Sequence, residues 1–154
     1  MNCRLEIKIL CTYIISLNAS LKFSICFCST RFLTQVTALH LAAWFKSSPT
    51  VVSTLVQAGA NVDALNSDHR SPLHWASSEN PAIVPVLIGA GCKVNLLDIA
   101  QQSPLLFAAW ISKDRSAVAA LMSAAADPHL GNPSPLTDPL VSNEMKDYIR
   151  SLSK

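Results

Sequence analysis

The chain has little charge, little glycine and no long hydrophobic run, and each shortage removes a class of function. Only 14% of its 154 residues are charged and the formal net charge is +2. No stripe of Lys and Arg is present, so the sequence does not present the surface that phosphate backbones or anionic lipids require. The four glycines, at 59, 89, 91 and 131, are not spaced as a phosphate-cradling loop. The uncharged stretch from Ile9 to Leu21, between Lys8 and Lys22, is shorter than the ~20 apolar residues that span a bilayer. Cysteine is odd in number: five stand at 3, 11, 26, 28 and 92, four of them within the first 28 residues, which is not a disulfide framework. Cys26 and Cys28 are separated by one residue and no second pair with metal-ligand spacing is present, so neither a metal nor a cofactor is expected.

The apolar residues that are present suffice for one core. Half of the chain is hydrophobic, and the length suits one domain better than two. The first 35 residues differ from the rest: they are rich in Ile, Leu, Cys and Phe and lack Gly and Pro punctuation. They read as an extension or cap on the remainder of the chain, as a poorly ordered tail, or as a signal-like segment. For the last reading, Arg4 and Lys8 precede the apolar stretch and Ala19 is a small residue where cleavage would fall; Glu6 and Asn18 count against it.

From Thr37 the chain repeats itself. Thr37-Ala38-Leu39-His40-Leu41-Ala42-Ala43 corresponds to Ser71-Pro72-Leu73-His74-Trp75-Ala76-Ser77 and to Ser103-Pro104-Leu105-Leu106-Phe107-Ala108-Ala109, with starts 34 and 32 residues apart. A second landmark recurs at Gly59, Gly91 and Ala125. Eleven residues before each stand Ser48, Asn80 and Asp114, side chains able to accept from the free N–H groups of a helix's first turn. Pro49 and Pro81 come directly after two of them, where a helix tolerates proline. Val51, Val52, Leu55, Val56; Ile83, Val84, Leu87, Ile88; and Ala117, Val118, Leu121, Met122 then fall at common offsets that draw one apolar stripe per helix. Gly59 and Gly91 suit the left-handed stop of a helix, and Ala125 suits it less well. Pro85 is expected to shorten or kink its helix. The spacing predicts helices near 38–45, 49–58, 72–78, 81–89, 104–111 and 115–124. Ser134-Pro135-Leu136 opens a shortened fourth copy that closes on Met145, Tyr148, Ile149 and Leu152 at helical spacing.

These residues resemble the ankyrin repeat, a unit of about 33 residues with a turn, two helices and a T-P-L-H-x-A signature. The resemblance implies an all-α solenoid of stacked antiparallel helix pairs joined by short β-hairpin or turn fingers. Its repeats lie near 36–66, 67–98 and 99–131, with a degenerate cap over 132–154, behind the extension at 1–35. The glycine that the family usually places two residues before the signature is replaced by Gln35, His69 and Gln101, so strained or reshaped turns are expected there. The resemblance assigns His40 and His74 to hydrogen bonds with the turn of a neighbouring repeat. Cys92 has no adjacent histidine in sequence to lower its thiol pKa, and no catalytic constellation appears.

The same resemblance implies a non-catalytic module that binds another protein through the concave helix face and the hairpin tips. Trp44 and Trp110, each seven residues after the start of its repeat, are expected on that face with Phe45 and Ile111, and Ser78 and Glu79 lie between them in the middle repeat. The alternative for the tryptophans is that they fold over the inter-helix turn. Trp75 is expected in the core. The finger tips are expected to expose Asn66, Ser67, Asp68 and Arg70, then Asp98, Ile99 and Gln102, with Ser67, Asp68, Arg70, Ile99 and Gln102 as candidate contacts. An adaptor, scaffold or inhibitor acting as a monomer in the cytoplasm, nucleus included, is the expected function. The alternatives are a secreted or lumenal repeat protein, or a fragment of a larger ankyrin-containing regulatory protein.

Overall fold

The computed structural model describes residues 35–111 and 115–153. Among them stand seven α-helices and no strand: α1 Ala38–Trp44, α2 Pro49–Gln57, α3 Pro72–Glu79, α4 Val84–Gly89, α5 Pro104–Ile111, α6 Ser116–Ser123 and α7 Asn143–Leu152. Four residues, 45–48, join α1 to α2, short enough to fold the two back to back as a helical hairpin. The first helices stack in one layer, α1 on α3 on α5. The second helices stack in another, α2 on α4 on α6 on α7. The chain is therefore a short solenoid in which each pair is buried only by its neighbours.

The apolar stripe is the reason the layers adhere. Leu39, Leu73 and Leu105 are equivalent residues of the first helices and all are buried, as are Val52, Val84 and Val118 of the second layer. Leu87 and Leu121 are buried, whereas Leu55, at the same offset one repeat earlier, is partly exposed and packs against the core. The alanines at the end of the signature, Ala42, Ala43, Ala76, Ala108 and Ala109, are also buried; their small side chains let the first helices approach closely.

Helix ends depart from the sequence expectation in two places. Ser48 and Asn80 precede helical turns without accepting a cap bond. The Ser48 hydroxyl instead meets Thr50 Oγ1 at 2.7 Å, and Asn80 Nδ2 donates to the Ser47 carbonyl of the previous repeat at 2.9 Å. Asn80 thus ties two repeats together rather than capping one helix. The third expected cap, Asp114, lies outside the described residues. Pro81–Ile83 form a 3₁₀ turn, and α4 begins after it with Pro85 in its first turn, where the missing N–H removes no helical bond. The second helix of the middle repeat is short for that reason.

Gly59 and Gly91 hold positive φ after α2 and α4, and Ala125 adopts φ 60° after α6, so the weaker stop keeps the same geometry. Gln35, His69 and Gln101 likewise hold φ of 65°, 58° and 60°. The turns keep the shape that glycine would give them, and a residue with a Cβ carries the strain. In the terminal unit the signature turn survives at Ser134 without its first helix. Ser134 N–H donates to Thr137 Oγ1, and the N–H groups of Thr137 and Asp138 share the Ser134 carbonyl. Helix α7 closes the stack: Met145 N–H donates to the Ser142 hydroxyl, and Met145 and Ile149 enter the core. Its Tyr148 ring lies 4.8 Å below the Arg115 guanidinium at the start of α6.

Candidate functional site

Two buried histidines align one face of the stack. Nδ1 of His40 accepts from the Thr37 N–H at 3.2 Å, and Nε2 donates to the Arg70 carbonyl of the next repeat at 2.9 Å. His74 repeats this, accepting from Ser71 N–H at 3.0 Å and donating to the Gln102 carbonyl at 3.2 Å. Each ring nitrogen has one role, which sets the neutral Nε2–H tautomer. Burial pushes the His74 pKa down to about 4 and lowers that of His40. Both rings are committed to the neighbouring finger, as the resemblance implies.

The fingers are turns rather than paired strands. Asn66 N–H donates to Arg70 O, and Asp98 N–H donates to Gln102 O. Asn66 and Asp98, expected at exposed tips, are buried. Their side chains organise the turns: Asn66 Oδ1 accepts from the N–H groups of Asp68 and Arg70, and Asp98 Oδ1 from those of Ala100 and Gln102. The other Asp98 oxygen accepts from Arg70 Nε at 2.9 Å. The Arg70 guanidinium also covers the Phe107 ring at 4.8 Å, so this residue is a half-buried inter-repeat clamp rather than a free rim charge. One repeat earlier Val36 and Asn66 occupy the places of Arg70 and Asp98, and Asn66 Nδ2 is buried with no acceptor. Among the other finger candidates Ser67 and Ile99 are exposed, Ile99 by 62%, while Asp68 and Gln102 are half-buried.

The aromatic residues collect on the first-helix layer. Trp44 is 46% exposed and meets Trp75 edge-on, with ring centroids 5.3 Å apart at 62°. Trp75 in turn meets His40 at 5.3 Å. The core position expected for Trp75 is corrected here, because it is only partly buried: the signature's x position points along the layer, between the buried His74 and Ala76. Phe107 holds the same position one repeat later, against His74 at 5.7 Å and Trp110 at 5.6 Å. The tryptophans at the equivalent places are unlike. Trp44 is open, whereas Trp110 is half-buried and its Nε1–H is enclosed without an acceptor. Phe45, Ser78 and Glu79 are half-buried beside this layer. Ile111 closes α5, and its side chain lies outside the described residues. The structure therefore brings Trp44 next to Trp75, and Trp110 next to Phe107. Sequence reasoning does not single out Trp75 and Phe107 as half-buried members of this layer; their shared place in the signature is the available signal.

Burial pushes the Cys92 thiol up to about 11, reinforced by the negative charge of Asp63, which removes the thiolate at neutral pH. Among the described residues no cluster of three or more His, Cys, Asp or Glu is arranged to hold a metal ion, and no helix is long and apolar enough to cross a membrane. A family profile described as ankyrin repeats in three copies matches residues 8–98 and 39–132. No curated protein matches the chain.

Proposed function

From the membership of this chain in the ankyrin repeat family, whose repeats are generally protein-binding modules, we propose that it is a non-catalytic adaptor, scaffold or inhibitor that grips a partner across its first-helix layer. One observation carries the reading: the exposed Trp44 packs against the half-buried Trp75 at one end of the first-helix layer, with the half-buried pair Phe107 and Trp110 at the other, on helices whose opposite sides are already buried in the stack. Exposed rigid aromatics of this kind are over-represented at binding hot spots. Phe45, Ser78 and Glu79 border this aromatic strip, and Ser67, Asp68, Ile99 and Gln102 extend it along the fingers. Arg70 contributes by holding two fingers in register.

In this reading it acts as a monomer in the cytoplasm, nucleus included. The test is placement of a photo-crosslinking residue at position 44, on the strip, and at position 54, exposed on the outer helix α2. Partner capture from position 44 and not from 54 is expected. Capture from 54 alone would place the interface on the outer layer and overturn the reading.

A further inference from the structure

Positions that are equivalent in the three repeats are not equally covered. Val51 and Leu55 of α2 are partly exposed, whereas Ile83 and Leu87, and then Ala117 and Leu121, at the same offsets in the later repeats, are buried. Thr37 and Ala38 at the start of α1 are likewise partly exposed, whereas Ser71 and Pro72, and then Ser103 and Pro104, are buried. The difference is selective. Val52 is buried as Val84 and Val118 are, and Val56 is partly exposed as Ile88 and Met122 are. The residues that differ therefore mark the side of a repeat that a preceding repeat covers, and in the first repeat that side, with its Val51 and Leu55, stands open among the described residues.

The chain carries a segment fitted to that side. Residues 1–34 precede the described part and match one repeat of about 33 residues in length. The ankyrin profile matches from residue 8 rather than from Thr37. Leu10, Cys11, Ile14 and Ile15 fall at the offsets of Val51, Val52, Leu55 and Val56, and Asn18 stands in the place of Gly59, where asparagine is the common substitute for glycine at a left-handed helix stop. The stretch from Ile9 to Leu21 is uncharged, so it brings no charge against an apolar face. The connection from Asn18 to Thr37 is longer than those from Gly59 to Ser71 and from Gly91 to Ser103, which hides this copy from the regular spacing.

We propose that residues 8–34 supply a further, degenerate repeat, in which Leu10, Cys11, Ile14 and Ile15 pack on α2 and cover Val51 and Leu55. The test compares single variants of the full chain by hydrogen–deuterium exchange of the peptide that contains α2. Ile14→Asp puts a charge on the covered side and should speed exchange in α2 at least about tenfold, and more than it speeds exchange in α5. Ser16→Asp, on the other side of the same stretch, should leave α2 unchanged. Ile14→Ala and Leu55→Ala give a milder readout that does not depend on tolerating a charge. In urea each should lower the midpoint, and the shift from Ile14→Ala should fall to about half or less in the Leu55→Ala background. Exchange in α2 that is indifferent to Ile14→Asp, or equally fast in Ser16→Asp, would overturn the proposal, as would additive midpoint shifts. A chain that sediments as a dimer and loses α2 protection on dilution, with Ile14→Asp silent, would give the open side to a second copy and overturn it as well.

Discussion

Arg70 and Asp98, 28 positions apart in sequence, meet at 2.9 Å between two successive fingers, and the buried carboxylate also accepts two backbone N–H groups. Arg70 keeps 30% of its side chain exposed, so its loss is screened in part by water, but the carboxylate it leaves behind is fully buried. Arg70→Ala is expected to lower unfolding stability by about 1–3 kcal/mol. Asp98→Asn is expected to cost a similar amount, because its amide would face Arg70 donor to donor. In a urea-denaturation double-mutant cycle the two losses should fall well short of additive. Full additivity would mean that the bridge contributes nothing.

The left-handed turns supply a stabilising counterpart. His69, Gln101 and Ala125 are exposed and hold φ near 60°. A residue with a Cβ there carries a penalty of roughly 1–2 kcal/mol that glycine avoids, less the greater chain entropy that glycine loses on folding. His69→Gly, Gln101→Gly and Ala125→Gly are each expected to raise stability by up to about 1 kcal/mol in denaturant titrations. A loss at all three positions would contradict the strained-turn account.

Gly131 predicts the opposite sign. It has φ 104°, and a Cβ added there would stand 2.6 Å from the Gln101 carbonyl oxygen, which accepts from Asn132 N–H at 3.0 Å. Gly131→Ala is expected to loosen the cap from the third repeat and lower the thermal midpoint. An unchanged midpoint would mean that this contact adds nothing.

The stability of the stack should depend on pH through its histidines. Burial, which disfavours the charged ring, lowers both folded pKa values, that of His74 to about 4. The unfolded chain titrates near 6.5 and therefore takes up protons first. The histidine contribution is complete above about pH 6.5 and is lost as the pH falls toward about 4, because protonated Nδ1 can no longer accept from Ser71 or Thr37. A urea midpoint lower at about pH 5 than at about pH 7.5 is expected. A midpoint constant over that range would show that the rings are not neutral and buried.

Leu87 sits at the centre of the second-helix layer and is buried. Leu87→Ala is expected to cost ~2–5 kcal/mol by leaving a cavity. In so short an array a loss of that size unfolds all repeats in one transition. A loss below ~1 kcal/mol would show that the layer closes over the gap.

Much of this architecture is legible in spacing alone, because one side chain at a fixed offset meets the same neighbour in every repeat. Leu39, Leu73 and Leu105 are buried for that reason, and the paired helices begin and end close to their expected bounds once the 3₁₀ turn at Pro81–Ile83 is counted with α4. Spacing fails where a side chain's role depends on the repeat beside it. Asn66 and Asp98 look like solvated turn residues, yet both are buried and Asp98 is reached by Arg70 of the preceding finger, and Asn80 looks like a cap until Ser47 comes within reach. A core position is the natural expectation for Trp75 because the residues on both sides of it are buried; the phase that leaves it partly exposed at the edge of the core is one residue wide.

The central claim is that the first-helix strip binds the partner, and Trp44 is its most accessible element, 46% exposed with its main ring contact to Trp75. The direct measurement is the affinity of the captured partner for Trp44→Ala by calorimetry, paired with the thermal midpoint of the free variant. At least about a tenfold loss of affinity with a nearly unchanged midpoint is expected. Trp110→Ala, whose ring is half-buried, should weaken binding and also lower the midpoint. Unchanged affinity in a folded Trp44→Ala variant would contradict the account and place the binding surface elsewhere on the molecule.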